Sequence, residues 1–138
     1  LAKLEAKNHG YAEAVMLNEQ GYVCEGTGEN LFTVRNGILS TPPLSDGLLE
    51  GITRDTILHI ASDMDLLVIE ESLTRSDLYI ADEMFFTGTA AEVTPIREYD
   101  RVQIGAGHRG PVTERIQKAF FDIVQGKNPR YAHWLDAV

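Results

Sequence analysis

The chain has 138 residues, 43% of them apolar, with twelve lysines and arginines against twenty-one aspartates and glutamates, a formal net charge of −9. That length supports one core-forming domain and not two ordinary ones, and an acidic chain without a basic run lacks the stripe that a nucleic-acid backbone requires. Apolar runs such as LLVI at 66–69 and MFF at 84–86 fall far short of the roughly 20 residues that cross a bilayer, so no membrane partner is expected.

The opening LAKLEAKNHG places Leu1 and Leu4 at helical spacing among good helix formers, with Gly10 as a stop. Neither a cap nor an initiator methionine precedes it, and so short a helix is marginal alone. The expectation is a chain that begins partway along a longer helix, as a piece of a larger protein. YAEAVMLNEQGYVCEG reads as strand, turn and strand about NEQG. Its Cys24 is the only cysteine, which leaves no internal disulfide; with no signal-peptide pattern, a reducing, cytoplasmic setting is expected.

NLFTVRNGILST repeats the hairpin pattern, and its Asn36-Gly37 pair suits the positive φ angles of a type I′ turn. PPLSDGLLEG, residues 42–51, is a loop bracketed by proline and glycine. ITRDTILHIASDM is a helix, with Ile52, Ile57, Ile60, Ala61 and Met64 at helical spacing and Asp55 in the first turn. LLVIEESL is a strand, TRSDLYIAD a short capped helix, EMFFTGTA a strand ending in a turn of small residues, EVTPIREYD extended, and QIGAGHRGP a loop. VTERIQKAFFDIVQG is an amphipathic helix presenting Val112, Ile116, Ala119, Phe120 and Ile123 on one face and stopped at Gly126. Tyr131, Trp134 and Leu135 are the apolar anchors of the tail. Hairpins first and alternating helices later predict an α/β mixed (α+β) fold, a mixed sheet with packed helices; with no G-x-G-x-x-G after a strand, a Rossmann dinucleotide site is disfavoured.

Three turns combine small residues with polar ones. In CEGTGENLF, Glu25 stands just before a glycine-rich bend, and a carboxylate entering a core needs a cation or hydrogen-bond donors. In LLEGITRDT, Gly51 allows close approach, and Ile52 and Thr53 present amides at a helix start, a ready phosphate site; an ordinary N-cap is the plainer role for Thr53. In TGTAAE, residues 87–92, the amides of Thr89 and Ala90 form a nest for an oxyanion, against the plainer reading of a tight turn under a helix. The four histidines share no metal-ligand spacing, so no metal is expected. Lys3 and Lys7, four apart on one helix face, read as solvated.

EGTGENLFTV, LLEGITRDT, ADEMFFTGTAAEVTPI, RGPVTERIQKAFFDIV and the final WLDAV together resemble the class IV (fold type IV) pyridoxal-phosphate aminotransferases, and within them the branched-chain amino-acid aminotransferases. The resemblance implies the larger C-terminal domain of that fold, a mixed sheet or pseudo-barrel, over residues 1–138. It implies pyridoxal 5′-phosphate as cofactor, with Glu25 against the pyridine nitrogen and Leu49 near the ring. Gly51, Ile52, Thr53 and Thr89 surround the phosphate, and Thr89 with the Ala90 amide receives the substrate carboxylate. Gly28 and Asn30 shape the turn that presents Glu25. A structural glutamate paired with Arg35 or Arg54 is the alternative for Glu25.

The family's Schiff-base lysine falls upstream of LAKLEA, before an Asn-Tyr pair, and neither is present; no catalytic residue is assigned to this chain. An N-terminal domain, with a phosphate-binding arginine and much of the substrate pocket, is expected outside it. The activity implied is amino-group exchange between leucine, isoleucine or valine and 2-oxoglutarate by a homo-oligomer, with this chain inactive alone. The rivals are another class IV transaminase, acting on D-amino acids or (R)-amines, and a catalytically silent assembly module.

Overall fold

A computed structural model describes residues 2–26, 28–48, 51–88 and 92–126, with Lys3 by its backbone alone. In chain order the elements are α1 (Ala2–Asn8), β1 (Val15–Leu17), β2 (Val23–Gly26), β3 (Asn30–Arg35), β4 (Ile38–Thr41), α2 (Ile52–Asp63), β5 (Leu67–Glu70), α3 (Arg75–Tyr79), β6 (Glu83–Gly88), β7 (Glu92–Ile96), β8 (Glu98–Tyr99), β9 (Val102–Gln103) and α4 (Pro111–Val124). Five strands form one sheet in the order β5-β4-β3-β6-β7; β4 and β5 run parallel and every other pair is antiparallel, so the sheet is mixed as expected.

The β3–β4 turn is the one its residues predict: Asn36 and Gly37 lie at φ 52° and 77°, between the paired Arg35 and Ile38. β3 and β6 are central and covered on both faces, which is why they are almost continuously buried instead of alternating. On one face Phe32, Val34, Phe85 and Val93 meet Ile57, Ile60 and Ala61 of α2 and Ile116 and Ile123 of α4. Phe32 and Phe85 are direct cross-strand partners, with ring centroids 5.1 Å apart and nearly parallel planes. On the opposite face Leu31, Met84 and Phe86 pack with Val23, Leu73, Leu78, Ala81 and Ile104. The α4 stripe read from spacing is borne out, since Val112, Ala119 and Phe120 join Ile116 and Ile123 against the core.

Three sets of polar contacts fix the helix starts, two of them to the sheet or its flanking loop. Thr74 and Asp77 form a reciprocal capping box at the start of α3. The Glu83 carboxylate, at the start of β6, accepts from the Val112 and Thr113 amides at 3.2 and 2.8 Å, closing the N-terminus of α4. Arg54, 2% exposed in the first turn of α2, donates to the Pro42 carbonyl at 3.1 Å and pairs with Glu70 at 2.6 Å. Glu70→Ala removes one of those acceptors from a buried cation. Because the Glu70 side chain is 50% exposed, solvent offsets part of the loss. The expected destabilisation is about 1–2 kcal/mol by chemical denaturation; an unchanged midpoint would show that the Pro42 carbonyl and water suffice for Arg54.

The structure adds one hairpin that the sequence reading divided between an extended segment and a loop. β8 and β9 pair about Asp100 and Arg101, both at positive φ (50° and 66°). Asp tolerates that conformation better than most residues, but Arg is not a usual residue for it. Tertiary contacts hold it: Asp100 accepts from Arg75 at 3.0 Å and from Tyr79 at 2.7 Å, while Arg101 donates to the His9 carbonyl at 2.7 Å and lies over the Tyr11 ring. The hydrogen bond to Asp100 raises the Tyr79 pKa, and burial raises that of Tyr99, whose ring meets Tyr79 at 5.0 Å.

Candidate functional site

The turn after β2, the start of α2 and the end of β6 meet at one end of the sheet. Gly26 donates to the Glu29 carbonyl at 2.8 Å, closing a tight turn in which Gly28 takes φ 86°. Asn30, the first residue of β3, pairs with Thr87 of β6. The Asn30 side-chain oxygen lies against Gly51, so close that a Cβ at 51 would displace it. At Gly88, an added Cβ would lie 3.3 Å from the Gly28 carbonyl oxygen. Glycine at these points lets three backbone segments approach more closely than side chains allow.

Gly51 is the N-cap of α2, so Ile52 and Thr53 are its first and second helical residues, and Thr53 does not have the N-cap role that was its plainer reading. Without a side chain at the cap, no side-chain hydrogen bond reaches the amides of the first turn. The amides of Ile52, Thr53 and Arg54 have no carbonyl one turn earlier to bind. The starts of α3 and α4, by contrast, are closed by Thr74 and Glu83. Ile52 is 86% exposed, so the helix start is uncovered among the described residues. Unsatisfied amides and the positive end of the helix dipole together suit an anion.

Glu25 sits on β2 one residue before that turn, half-buried, opposite Met16 of β1. The pairing shifts beside it: Met16 faces Glu25 and Leu17 faces Val23, leaving Cys24 as the extra residue of a bulge. Bulges re-aim side chains and bend strands. Nothing in the local sequence foretold this one. Cys24 is buried with its thiol 3.0 Å from the Asp46 carbonyl, and burial, then Glu25 and Asp46, raise its pKa. An inert core cysteine was the expectation, and a protonated, buried thiol fits it. Of the two arginines considered as partners for Glu25, Arg54 is engaged by Glu70 and Pro42, and Arg35 is exposed at the far end of β3.

A cleft of about 850 Å³ lies between the α1–β1 segment and β7–β8, walled by Tyr11, Val15, Met84, Phe86, Pro95 and Ile96. None of Glu25, Gly51, Ile52 and Thr53 lines it, although Glu29 does. The cleft is therefore a neighbour of the converging turns and not the candidate site, whose donors and carboxylate lie elsewhere. Leu49, Thr89 and Ala90, and the tail anchors Tyr131, Trp134 and Leu135, lie outside the described residues. Among the described residues no three His, Cys, Asp or Glu side chains gather as a metal site, and no helix is long and apolar enough to cross a membrane.

Two residues near the site were passed over as contributors by sequence reasoning. Thr87 reads as one more residue of a buried strand, and the polar member of MFFTG was the only signal. Asn30 was given to the turn alone, whereas it also supports the start of α2.

A model of the family "Amino-transferase class IV" matches residues 1–99. The branched-chain-amino-acid aminotransferase of Pseudomonas aeruginosa is 54% identical over 134 residues, covering 97% of this chain and 43% of that protein. The crystal structure of a branched-chain aminotransferase from Thermoproteus uzoniensis with norvaline superposes with a TM-score of 0.93 at 53% identity, over 96% of this chain and 44% of the other. That of Thermobaculum terrenum, in its PLP form, gives a TM-score of 0.94 at 44% identity, over 97% and 44%. The chain thus spans less than half the length of these relatives.

Proposed function

The chain belongs to the class IV aminotransferase family, and from that premise we propose that it is the C-terminal, cofactor-binding part of a branched-chain amino-acid aminotransferase that uses pyridoxal 5′-phosphate. The observation that carries this reading is the convergence of an uncapped helix start at Gly51 with the glycine turn that follows Glu25, at one end of the sheet. Those features fit the cofactor's two charged ends: amides for a phosphate dianion, and a half-buried carboxylate for a ring nitrogen.

When bound, pyridoxal phosphate supplies an electron sink for the charge that develops at the substrate's α-carbon, deepest with its ring nitrogen protonated. Glu25 holds that proton in place, because an ionised carboxylate beside the nitrogen favours the cationic ring. The amides of Ile52 and Thr53 and the Thr53 hydroxyl bind the phosphate, with Thr89 completing the set and Gly51 giving the approach. Leu49 packs near the ring, while Thr89 and the Ala90 amide orient the substrate carboxylate. In the whole enzyme a lysine preceding these residues would anchor the cofactor, and an N-terminal domain would cover the pocket. The whole enzyme, a homo-oligomer, exchanges the amino group between leucine, isoleucine or valine and 2-oxoglutarate.

Assaying the intact enzyme with each amino acid tests this: glutamate should form from 2-oxoglutarate with all three branched-chain donors, and a preference for D-alanine or an (R)-amine would overturn it. Thr53→Val tests the phosphate end, since it removes a hydroxyl at nearly constant volume. Cofactor affinity should fall by about 1–3 kcal/mol in a titration of the apoenzyme. Unchanged affinity would remove the Thr53 hydroxyl from the site.

A further inference from the structure

β6 ends with a hydroxyl that nothing in the described structure satisfies. Thr87 is fully buried, and its Oγ1 has no hydrogen-bond partner. A buried polar group left unpaired is costly, and in a native protein each such group calls for an explanation. Its direction supplies one. Alternation along β6 puts Thr87 on the face of Phe85, which packs beneath α2 and α4. Thr87 is also the cross-strand partner of Asn30, so the two side chains share a face, and the Asn30 side chain lies against Gly51 at the cap of α2. The hydroxyl is therefore aimed from the sheet at the first turn of α2, where the amides of Ile52 and Thr53 are uncapped. Arg54, the buried cation of that turn, is engaged through Nη2 by Pro42 and Glu70, while its Nε, like the Thr87 hydroxyl, is buried without a hydrogen-bond partner.

We propose that Thr87 is a further phosphate-binding residue, whose hydroxyl donates to the phosphate seated at the start of α2. The inference rests on the reading of that helix start as the phosphate site. A charge-assisted hydrogen bond to a dianion is a strong use for a buried hydroxyl, and the cost of burying it is recovered on binding.

The test uses the apoenzyme of the intact protein and three variants: Thr87→Val, which keeps shape and loses the hydroxyl; Thr87→Ser, which keeps the hydroxyl; and Thr53→Val. Thr87→Val should raise the Kd for pyridoxal phosphate roughly 10- to 100-fold. It should leave the Kd for pyridoxal, which lacks the phosphate, unchanged. Its apo form should melt at or above the parent temperature, because an unpaired hydroxyl has left an apolar site. Thr87→Ser should stay within about threefold of the parent. If Thr87→Val does not fold, Thr87→Ala carries the same affinity comparison. Parent-like affinity for pyridoxal phosphate in Thr87→Val, with Thr53→Val weakened, overturns the assignment of Thr87 alone. Parent-like affinity in both removes both hydroxyls from the site, and a parent protein that binds pyridoxal as tightly as pyridoxal phosphate overturns the phosphate reading of the helix start with them.

Discussion

Glu25→Gln, made in the intact enzyme, is expected to lower kcat by roughly 10- to 100-fold, the rate equivalent of losing one charge-assisted hydrogen bond. The amide is isosteric with the carboxylate and keeps a polar contact with the ring nitrogen, but it carries no charge to stabilise the proton there. Fold and stability should be nearly unchanged, because the amide is isosteric and β2 is held by its ladder with β1 and by the buried Val23. Steady-state kinetics at saturating cofactor, with a thermal melt of the same sample, separates the two effects. Near-normal turnover in a cofactor-loaded variant would exclude Glu25 from the role. A matched loss of melting temperature and turnover would instead make it a structural carboxylate.

Glu83→Ala should have the largest effect on stability, about 3 kcal/mol. Glu83 is only 8% exposed, and both its oxygens accept amides from the first turn of α4. Truncation leaves those amides unpaired, removes a negative charge from the positive end of the helix dipole, and opens a void beside Gly110. α4 contributes Ile116 and Ile123 to the main core, so loosening its start is felt by the whole sheet. Urea denaturation would register the loss as a lower midpoint at a similar slope. Gly110→Ala approaches the same contact from the other side, since its methyl would run into the Glu83 carboxylate. A midpoint within experimental error of the parent for Glu83→Ala would mean that water replaces the cap.

The residues alone determined most of the element order, because turn chemistry and periodicity are local. Asn36-Gly37 forms its I′ turn wherever two strands flank it, and the spacing of Val112, Ile116, Ala119, Phe120 and Ile123 allows one buried face whatever lies beneath. Hairpins followed by helices implied a mixed sheet for the same reason. The glycine turn after Glu25 and the helix start at Gly51 were also legible, as separate anion and carboxylate candidates. What only the tertiary structure decided is where segments distant in sequence meet. Thr53 lost its capping role to Gly51, as the Asn30 side chain leaves no room for a Cβ there. Arg101 has no local preference for positive φ, and the Asp100-Arg101 turn persists through Arg75, Tyr79 and the His9 carbonyl. The bulge at Cys24 follows from the register of β1 on β2, and the unpaired Thr87 hydroxyl from the pairing of β6 with β3. In each case the deciding energy is a contact between surfaces brought together by folding, and a single stretch of sequence carries only one side of it.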